Sequence, residues 1–459
     1  MYQGGFIWDY GDQALYRKLP DGKEVLAYGG DFTDRPTDYN FSGNGLIYAD
    51  RTISPKAQEV KYLYQNVKLE LDAKGVTIKN QNLFVNTDKY DLYYIAERDG
   101  KLIKDGYLNV SVAPGEEKYI ELPIGKYNFL EEIVLTTSLR LSQATLWAEK
   151  GYEVAFGQKV IKEKSDMNNH NSGSKMKIIH GDVNIGVHVK DFKVIFSKQE
   201  GGIVSLRYNN KEFITRTPKT FYWRATTDND RGNGYEFRCS QWLAATMGQK
   251  YVDFSVEELD EKITLDYTYQ LPTVPSTNVN ITYEVSGEGI IKVNVKYKGA
   301  SGLPELPVLG MNFKLLAEFN SFSWYGMGPE ENYIDRCEGA KLGIYESTPI
   351  ENLSRYLVPQ ECGNRTGTRW LVVKNHKNEG LKFTYDKAPF EFSVLPYSNM
   401  ELENALHIEE LPYVNFTHVN IIGKQMGVGG DDSWGAPVLP EFCIDSSKDL
   451  EYSFAISKM

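Results

Sequence analysis

Cysteine is scarce in this 459-residue sequence, and its four residues lie far apart. Cys239, Cys337, Cys362 and Cys443 show no Cys-x-x-Cys spacing, which argues against a zinc site and against a disulfide framework. A chain that does not depend on disulfides fits a reducing compartment, so we expect a cytoplasmic protein.

Long hydrophobic runs and an excess of positive charge are also missing. No apolar stretch approaches the roughly 20 residues of a membrane-spanning helix, so no membrane association is predicted. Lysine and arginine total 51 against 62 aspartates and glutamates, for a net charge of −11. Because phosphate groups repel an acidic surface, nucleic acid is not an expected partner.

Several catalytic motifs are absent as well. The six histidines include no His-Glu-x-x-His pair, and no serine lies in a Gly-x-Ser-x-Gly turn. No Walker loop occurs, and no Gly-x-Gly-x-x-Gly opens a helix, which argues against phosphoryl and hydride transfer. His407 and His418 could fall on neighbouring strands, although a structural role is the favoured interpretation for both.

Aromatic residues, in contrast, are abundant, with 31 tyrosines and 21 phenylalanines. Strand-rich proteins favour such residues, and composition favours that explanation. Sugar binding is the alternative, because flat apolar sugar faces stack on aromatic rings.

The first 57 residues combine glycine, aspartate and aromatic residues in a pattern typical of loops at the ends of strands. Residues Gly4 to Tyr10 are predicted to form a strand buried inside a domain. Ser54 and Pro55 then resemble a helix N-cap followed by proline in the first turn, so a helix is expected from Lys56.

Residues 59–163 contain short strands separated by turn signals, including Asp99-Gly100, and predict a β-sandwich of immunoglobulin size. Residues 164–177 are polar and are interpreted as a linker. Residues 178–459 show strong two-residue periodicity, as in Ile291, Val293, Val295 and Tyr297. Such alternation predicts one large antiparallel β-sandwich with few helices.

Four loop-like stretches carry more polar and aromatic character than connectors need: residues 8–12, 31–45, 224–237 and 429–435. Carboxylate chemistry remains open, since a retaining glycosidase needs two carboxyl groups roughly 5 Å apart. Adjacent acidic pairs do not satisfy this requirement, because successive side chains on a strand face opposite ways. The residues alone therefore indicate a carbohydrate-related β-rich protein and identify no nucleophile.

These stretches also resemble the large bacterial β-galactosidases of glycoside hydrolase family 2. The resemblance rests on ordered motifs from residue 3 to the end: GGFIWDYGDQ, YGGDF, NFSGNGLIYADRTISPKAQEVK, TDNDRGNG, WYGMGPEENYIDR, GIYE, PQECGNRTGTRWL and GVGGDDSWG. It implies a mainly β chain in four parts. They are the last strand, loops and final helix of an incomplete catalytic (β/α)8 barrel at 1–58, an immunoglobulin-like β-sandwich at 59–163, the linker at 164–177, and a large C-terminal β-sandwich of the small-chain type at 178–459.

The resemblance also assigns site residues. It implies that Trp8 stacks on galactose, that Trp434 is a platform for the leaving-group sugar, and that the Phe41 carbonyl and the Asn44 side chain bind sodium. It further implies a mobile lid at Asp228, Asn229, Asp230 and Gly232. Both catalytic glutamates, and the ligands of an active-site magnesium ion, would lie upstream of this sequence, so no catalytic residue is assigned.

The function implied is that of the C-terminal part of a retaining β-galactosidase acting on terminal β-D-galactosides such as lactose. The missing N-terminal part of the barrel would be its partner, and this chain alone is expected to be inactive. The alternative is a non-catalytic carbohydrate-binding or complementing subunit. A homo-oligomer is left open.

Overall fold

The computed structural model describes residues 4–125, 131–162 and 174–459, and the chain is mainly β, as predicted. The described residues of Met1–Ala57, Asn171–Cys337 and Tyr345–Met459 form one compact unit. Those of Gln58–His170 and Glu338–Ile344 form a second unit. Within the described residues, no helix combines the length and the hydropathy needed to cross a membrane.

The N-terminal segment consists mostly of loops around one hairpin. Strands β1 (Leu15–Lys18) and β2 (Glu24–Ala27) pair antiparallel. Helix α1 (Lys56–Leu63) begins where it was predicted. The described residues up to Ala57 belong to the same compact unit as the large sandwich, whereas α1 from Gln58 on belongs to the second unit.

The prediction of a buried strand at Gly4 to Tyr10 is wrong. These residues contain no strand, and their large side chains are exposed, with Phe6 at 101% and Trp8 at 81%. A strand is stable when a neighbouring strand satisfies its backbone N–H and C=O groups, and no described strand pairs with this segment. The carbonyl of Tyr10, at the end of this segment, accepts hydrogen bonds from the amides of Leu46 and Ile47.

The second unit is a sandwich of two antiparallel sheets. Its strands are β3 (Val67–Leu71), β4 (Gly75–Asn80), β5 (Tyr90–Arg98), β6 (Lys101–Asn109), β7 (Glu117–Glu121), β8 (Ile133–Leu141) and β9 (Glu153–Lys162). The sheet orders are β3-β4-β7 and β6-β5-β8-β9. Asp99 and Gly100 join β5 to β6 with φ of 48° and 75°, which confirms the predicted hairpin turn.

Of the predicted linker at 164–177, residues 164–173 lie outside the described residues. Ser174 to Met176 have no regular structure, and Lys177 already begins a strand.

The large sandwich contains three antiparallel sheets. Its strands are β10 (Lys177–His180), β11 (Asn184–Val189), β12 (Phe192–Ser197), β13 (Ile203–Tyr208), β14 (Lys211–Glu212), β15 (Lys219–Phe221), β16 (Lys250–Glu258), β17 (Lys262–Leu271), β18 (Thr277–Ser286), β19 (Ile291–Tyr297), β20 (Val308–Leu316), β21 (Ser321–Gly328), β22 (Lys341–Ser347), β23 (Arg365–Thr368), β24 (Trp370–Lys374), β25 (Gly380–Tyr385), β26 (Phe390–Leu395), β27 (Phe416–Gln425) and β28 (Leu450–Lys458). The orders are β10-β11-β12-β13-β14, β15-β20-β27-β26-β23 and β16-β17-β18-β19-β28-β25-β24-β21-β22.

Helices in the described part of this sandwich are short. They are α2 (Asp228–Gly232), α3 (Tyr235–Arg238), α4 (Ser240–Gly248) and α5 (Asn399–Asn404). One continuous apolar core joins the sheets. Ile291, Val293, Val295 and Tyr297 are buried within it while Lys292, Asn294 and Lys296 are not, which confirms the predicted alternation. All four cysteines are free thiols.

Candidate functional site

A cavity of about 310 Å³ lies in the N-terminal segment. Three residues that the sequence singled out, Trp8, Phe41 and Asn44, line it together. The remaining lining residues are Asp9, Gln13, Gly29, Thr37, Asp38, Tyr39 and Ser42. The structure thus brings residues from two of the four predicted stretches to one concave surface.

The buried carboxylate of Asp12 holds the backbone next to Asn44 in place. Oδ1 of Asp12 accepts a hydrogen bond of 2.6 Å from the amide of Gly45. A Cβ on Gly45 would lie 2.2 Å from the nitrogen of Asp12, so the two backbone segments approach too closely for any other residue. Burial raises the pKa of Asp12, and the Gly45 hydrogen bond opposes that shift by stabilising the charged form.

Asn44 has an unused oxygen at this cavity. Its Oδ1 is buried and has no hydrogen-bond partner among the described residues, and the same is true of Oγ of Ser42. Leaving a buried polar atom without a partner costs free energy, so the Oδ1 atom of Asn44 is suited to be a ligand of a bound cation. In the part of the chain that the structure describes, no group of three or more His, Cys, Asp or Glu could hold a metal.

Trp434 lies on the surface, with 71% of its area exposed. Its ring stacks on that of Phe41, with the centroids 6.3 Å apart and the planes 15° from parallel. Its amide donates to Oδ1 of Asp432 at 2.8 Å. Gly435 follows in the left-handed region with φ of 99°, which turns the chain back after the tryptophan.

The four residues predicted to form a lid lie on helix α2, which contacts the loops that carry Phe41 and Trp434. Thr227 and Asp230 form a capping box that starts the helix. Oδ1 of Asp228 accepts a hydrogen bond of 2.6 Å from Asn40, and Asn229 contacts the Trp434 loop. A Cβ on Gly232 would lie 2.7 Å from Cα of Gly435. All four predicted stretches therefore meet at one site.

Three buried charged residues of the large unit were given no role from the sequence, although one of them, Arg224, begins a predicted stretch. Arg224 pairs with Asp230, and their side chains are only 1% and 2% exposed. The carboxylate of Glu331 accepts hydrogen bonds from four groups: the side chains of Arg336, Tyr356 and Ser354, and the amide of Gly363. Glu361 accepts one from Tyr333. No local pattern distinguishes them, because their burial comes from strands distant in sequence.

The two histidines do not lie on neighbouring strands. His418 is buried on β27, and burial lowers its pKa to about 4, so it is neutral at physiological pH. His407 precedes a short 3-10 helix (Ile408–Glu410), stacks on Tyr28 at 4.7 Å and lies 3.0 Å from the carboxylate of Asp31. Its contacts join the N-terminal segment to the large sandwich.

Known family profiles match nearly the whole chain. Residues 188–456 match a family profile described as "Beta galactosidase small chain". The chain belongs to this β-galactosidase small-chain family. Residues 76–162 match "Beta-galactosidase, domain 4", and residues 1–69 match "Glycosyl hydrolases family 2, TIM barrel domain".

Similar curated proteins are named as β-galactosidases or as a β-galactosidase subunit. A β-galactosidase of Clostridium acetobutylicum is 95% identical over 76% of this chain and 39% of its own length. One from Halalkalibacterium halodurans is 46% identical over 100% of this chain and 46% of its own length. The β-galactosidase small subunit of Latilactobacillus sakei is 39% identical over 62% of this chain and 99% of its own length. The chain spans less than half the length of the first two.

Proposed function

We propose that this chain is the C-terminal part of a retaining β-galactosidase that hydrolyses terminal β-D-galactosides such as lactose. One observation carries the proposal. Trp8, Phe41 and Asn44 line one cavity, and the ring of Trp434, which is distant in sequence, stacks on that of Phe41. The names of the relatives support the same reaction. Four free thiols fit the cytoplasm as its location.

The chain supplies binding surfaces in this proposal. Exposed aromatic rings offer flat apolar faces to sugar rings, so Trp8 takes the galactose and Trp434 takes the leaving-group sugar. The acid/base and nucleophilic glutamates are contributed by polypeptide outside these 459 residues, together with the ligands of a magnesium ion. A homo-oligomer remains compatible with this assignment.

The proposed sodium site uses the Asn44 amide oxygen and the Phe41 carbonyl. Oxygen ligands suit a hard cation, and the buried, unpartnered Oδ1 of Asn44 fits that role. Sodium would supply a fixed positive charge beside the bound sugar. Asp12 supports the site by holding the amide of Gly45, the residue after Asn44.

We predict that the 459-residue chain alone does not hydrolyse nitrophenyl β-galactoside at any pH. Retaining hydrolysis requires two carboxyl groups in place, and the resemblance assigns neither to this chain. The same residues fused to the N-terminal portion of the Halalkalibacterium halodurans β-galactosidase should be active. Turnover by the chain alone that is lost on Asp9→Asn or Asp38→Asn, the carboxylates lining the cavity, would show that the proposal is wrong.

A carbohydrate-binding or complementing subunit is the second candidate. The match to a small subunit along nearly its entire length favours it. This candidate requires the chain to bind sugar unaided.

A fluorescence titration with lactose separates the two candidates. Stacking on one ring contributes only about 1 kcal/mol, so we expect millimolar binding or weaker, abolished by Trp434→Ala. Trp147→Ala is the control, because Trp147 is also exposed but belongs to the second unit. Micromolar binding that survives Trp434→Ala would favour an autonomous carbohydrate-binding module.

A further inference from the structure

Three consecutive side chains of helix α2 reach three different parts of the large unit. Successive residues of a helix are rotated by about 100°, so a short helix can present neighbours in three directions. Asp228 contacts the loop that carries Phe41, Asn229 contacts the loop that carries Trp434, and Asp230 contacts the buried Arg224. This helix therefore connects both aromatic platforms to the core.

The contact of Asp230 anchors the helix. The Nε and Nη2 atoms of Arg224 donate to the two oxygens of Asp230 at 3.2 and 3.1 Å. Nη1 of Arg224 donates to the carbonyls of Met426 and Gly427 at 3.0 and 2.8 Å. Because Gly427 leads into the Trp434 loop, one guanidinium fixes both the helix and the start of that loop.

The contact of Asn229 closes the loop. Its Nδ2 donates to the carbonyl of Asp432 at 2.9 Å and to that of Ala436 at 3.3 Å. These two carbonyls lie on either side of Trp434 in the chain. One amide group therefore holds the two sides of the Trp434 turn together.

The contact of Asp228 fixes the other platform. Its carboxylate accepts from Asn40 at 2.6 Å and from Gln360 at 3.0 Å. Asn40 precedes Phe41, whose ring stacks on that of Trp434. The position of each ring thus depends on a different residue of the same helix.

We infer that Asn229 is a positioning residue that sets the ring of Trp434 for the leaving-group sugar. The inference rests on the proposed function only for the identity of that sugar. It implies that helix α2 and the Trp434 loop are held in one fixed arrangement, so the specificity of the acceptor side is set jointly by both.

Fluorine NMR of the 5-fluorotryptophan-labelled chain tests the inference without any sugar, so its outcome is independent of the lactose and turnover experiments. The signal of Trp434 is assigned with Trp434→Phe. Asn229→Ala and the near-isosteric Asn229→Asp both lack the Nδ2 donor. In both variants the fluorine chemical shift of Trp434 should move to that of fluorotryptophan in the denatured chain. The signal of Trp147 should not move.

Asn233→Ala is the matched control. Nδ2 of Asn233 donates to the carbonyl of Asn229 at 2.7 Å, and among the described residues it makes no hydrogen bond to the Trp434 loop. Its Trp434 signal should stay at the parent position. A Trp434 signal that is unchanged in Asn229→Ala, or that moves equally in Asn233→Ala, would overturn the inference.

Discussion

Replacing Arg224 with alanine is expected to lower the free energy of unfolding of the large unit by roughly 3–5 kcal/mol, the usual cost of removing one partner from a buried ion pair. The substitution leaves the carboxylate of Asp230 buried and without its guanidinium. It also removes the donor to the carbonyls of Met426 and Gly427. Both effects leave buried polar groups unsatisfied, which is more costly than losing an exposed contact.

Urea unfolding followed by tryptophan fluorescence measures this effect. Of the seven tryptophans, Trp147 alone belongs to the second unit, so the signal reports mainly on the large unit. Arg207→Ala is a control, because its ion pair with Glu212 is exposed and should contribute about 1 kcal/mol or less. A loss of the same small size in Arg224→Ala would contradict the prediction.

A double variant isolates the buried charge as the cause. Arg224→Met combined with Asp230→Asn removes both charges of this buried pair, while asparagine can still accept the hydrogen bond from the amide of Thr227. The double variant should therefore be more stable than Arg224→Met alone. If the two substitutions simply add, the cost comes from lost packing and not from an unpaired charge.

The second large effect is a dependence of stability on pH that arises at Glu361. This carboxyl is only 8% exposed, and burial raises its pKa from 4.5 to about 7, although Arg224 and the Tyr333 hydrogen bond oppose the shift. Between these values the folded state binds more protons than the unfolded state. Stability therefore falls as the pH rises from 4.5 to 7, by about 3 kcal/mol for this group.

Glu361→Gln should remove this contribution and make the protein more stable than the parent at pH 8. Glutamine keeps the size of the side chain and an oxygen for the Tyr333 hydroxyl. Burial also raises the pKa of Glu391 to about 7, so the double variant with Glu391→Gln should show a still weaker pH dependence. Unfolding free energies measured by urea between pH 4.5 and 8 test both expectations.

Glu331→Gln is the control with the opposite sign. Burial disfavours its charged form, but Arg336, Tyr356, Gly363 and Ser354 outweigh burial and hold the pKa of Glu331 below its usual value. Its stabilising effect is present above the unfolded-state pKa and is lost as the pH falls through the folded-state pKa. Glu331→Gln should therefore destabilise the protein at neutral pH. If Glu361→Gln and Glu331→Gln changed stability at neutral pH in the same direction, the opposite pKa shifts given for these two carboxyl groups would be wrong.

Local patterns in the sequence were enough to determine the fold class and many elements. The alternation at Ile291 to Tyr297 identifies a strand with one buried face, because the two-residue period of a strand is a local property. Asp99-Gly100 identifies a hairpin turn because its backbone angles suit those two residues. The start of α1 is likewise visible in its flanking residues.

Tertiary structure alone decided the arrangement of the site. Gly4 to Tyr10 has the composition of a buried strand, yet it is exposed, because strand formation depends on a partner that local sequence does not specify. The burial of Arg224, Glu331 and Glu361 also depends on distant segments, and so does the meeting of Phe41 with Trp434. Charge burial and loop contacts are set by long-range packing, whereas periodicity and turns are set by neighbours in the chain.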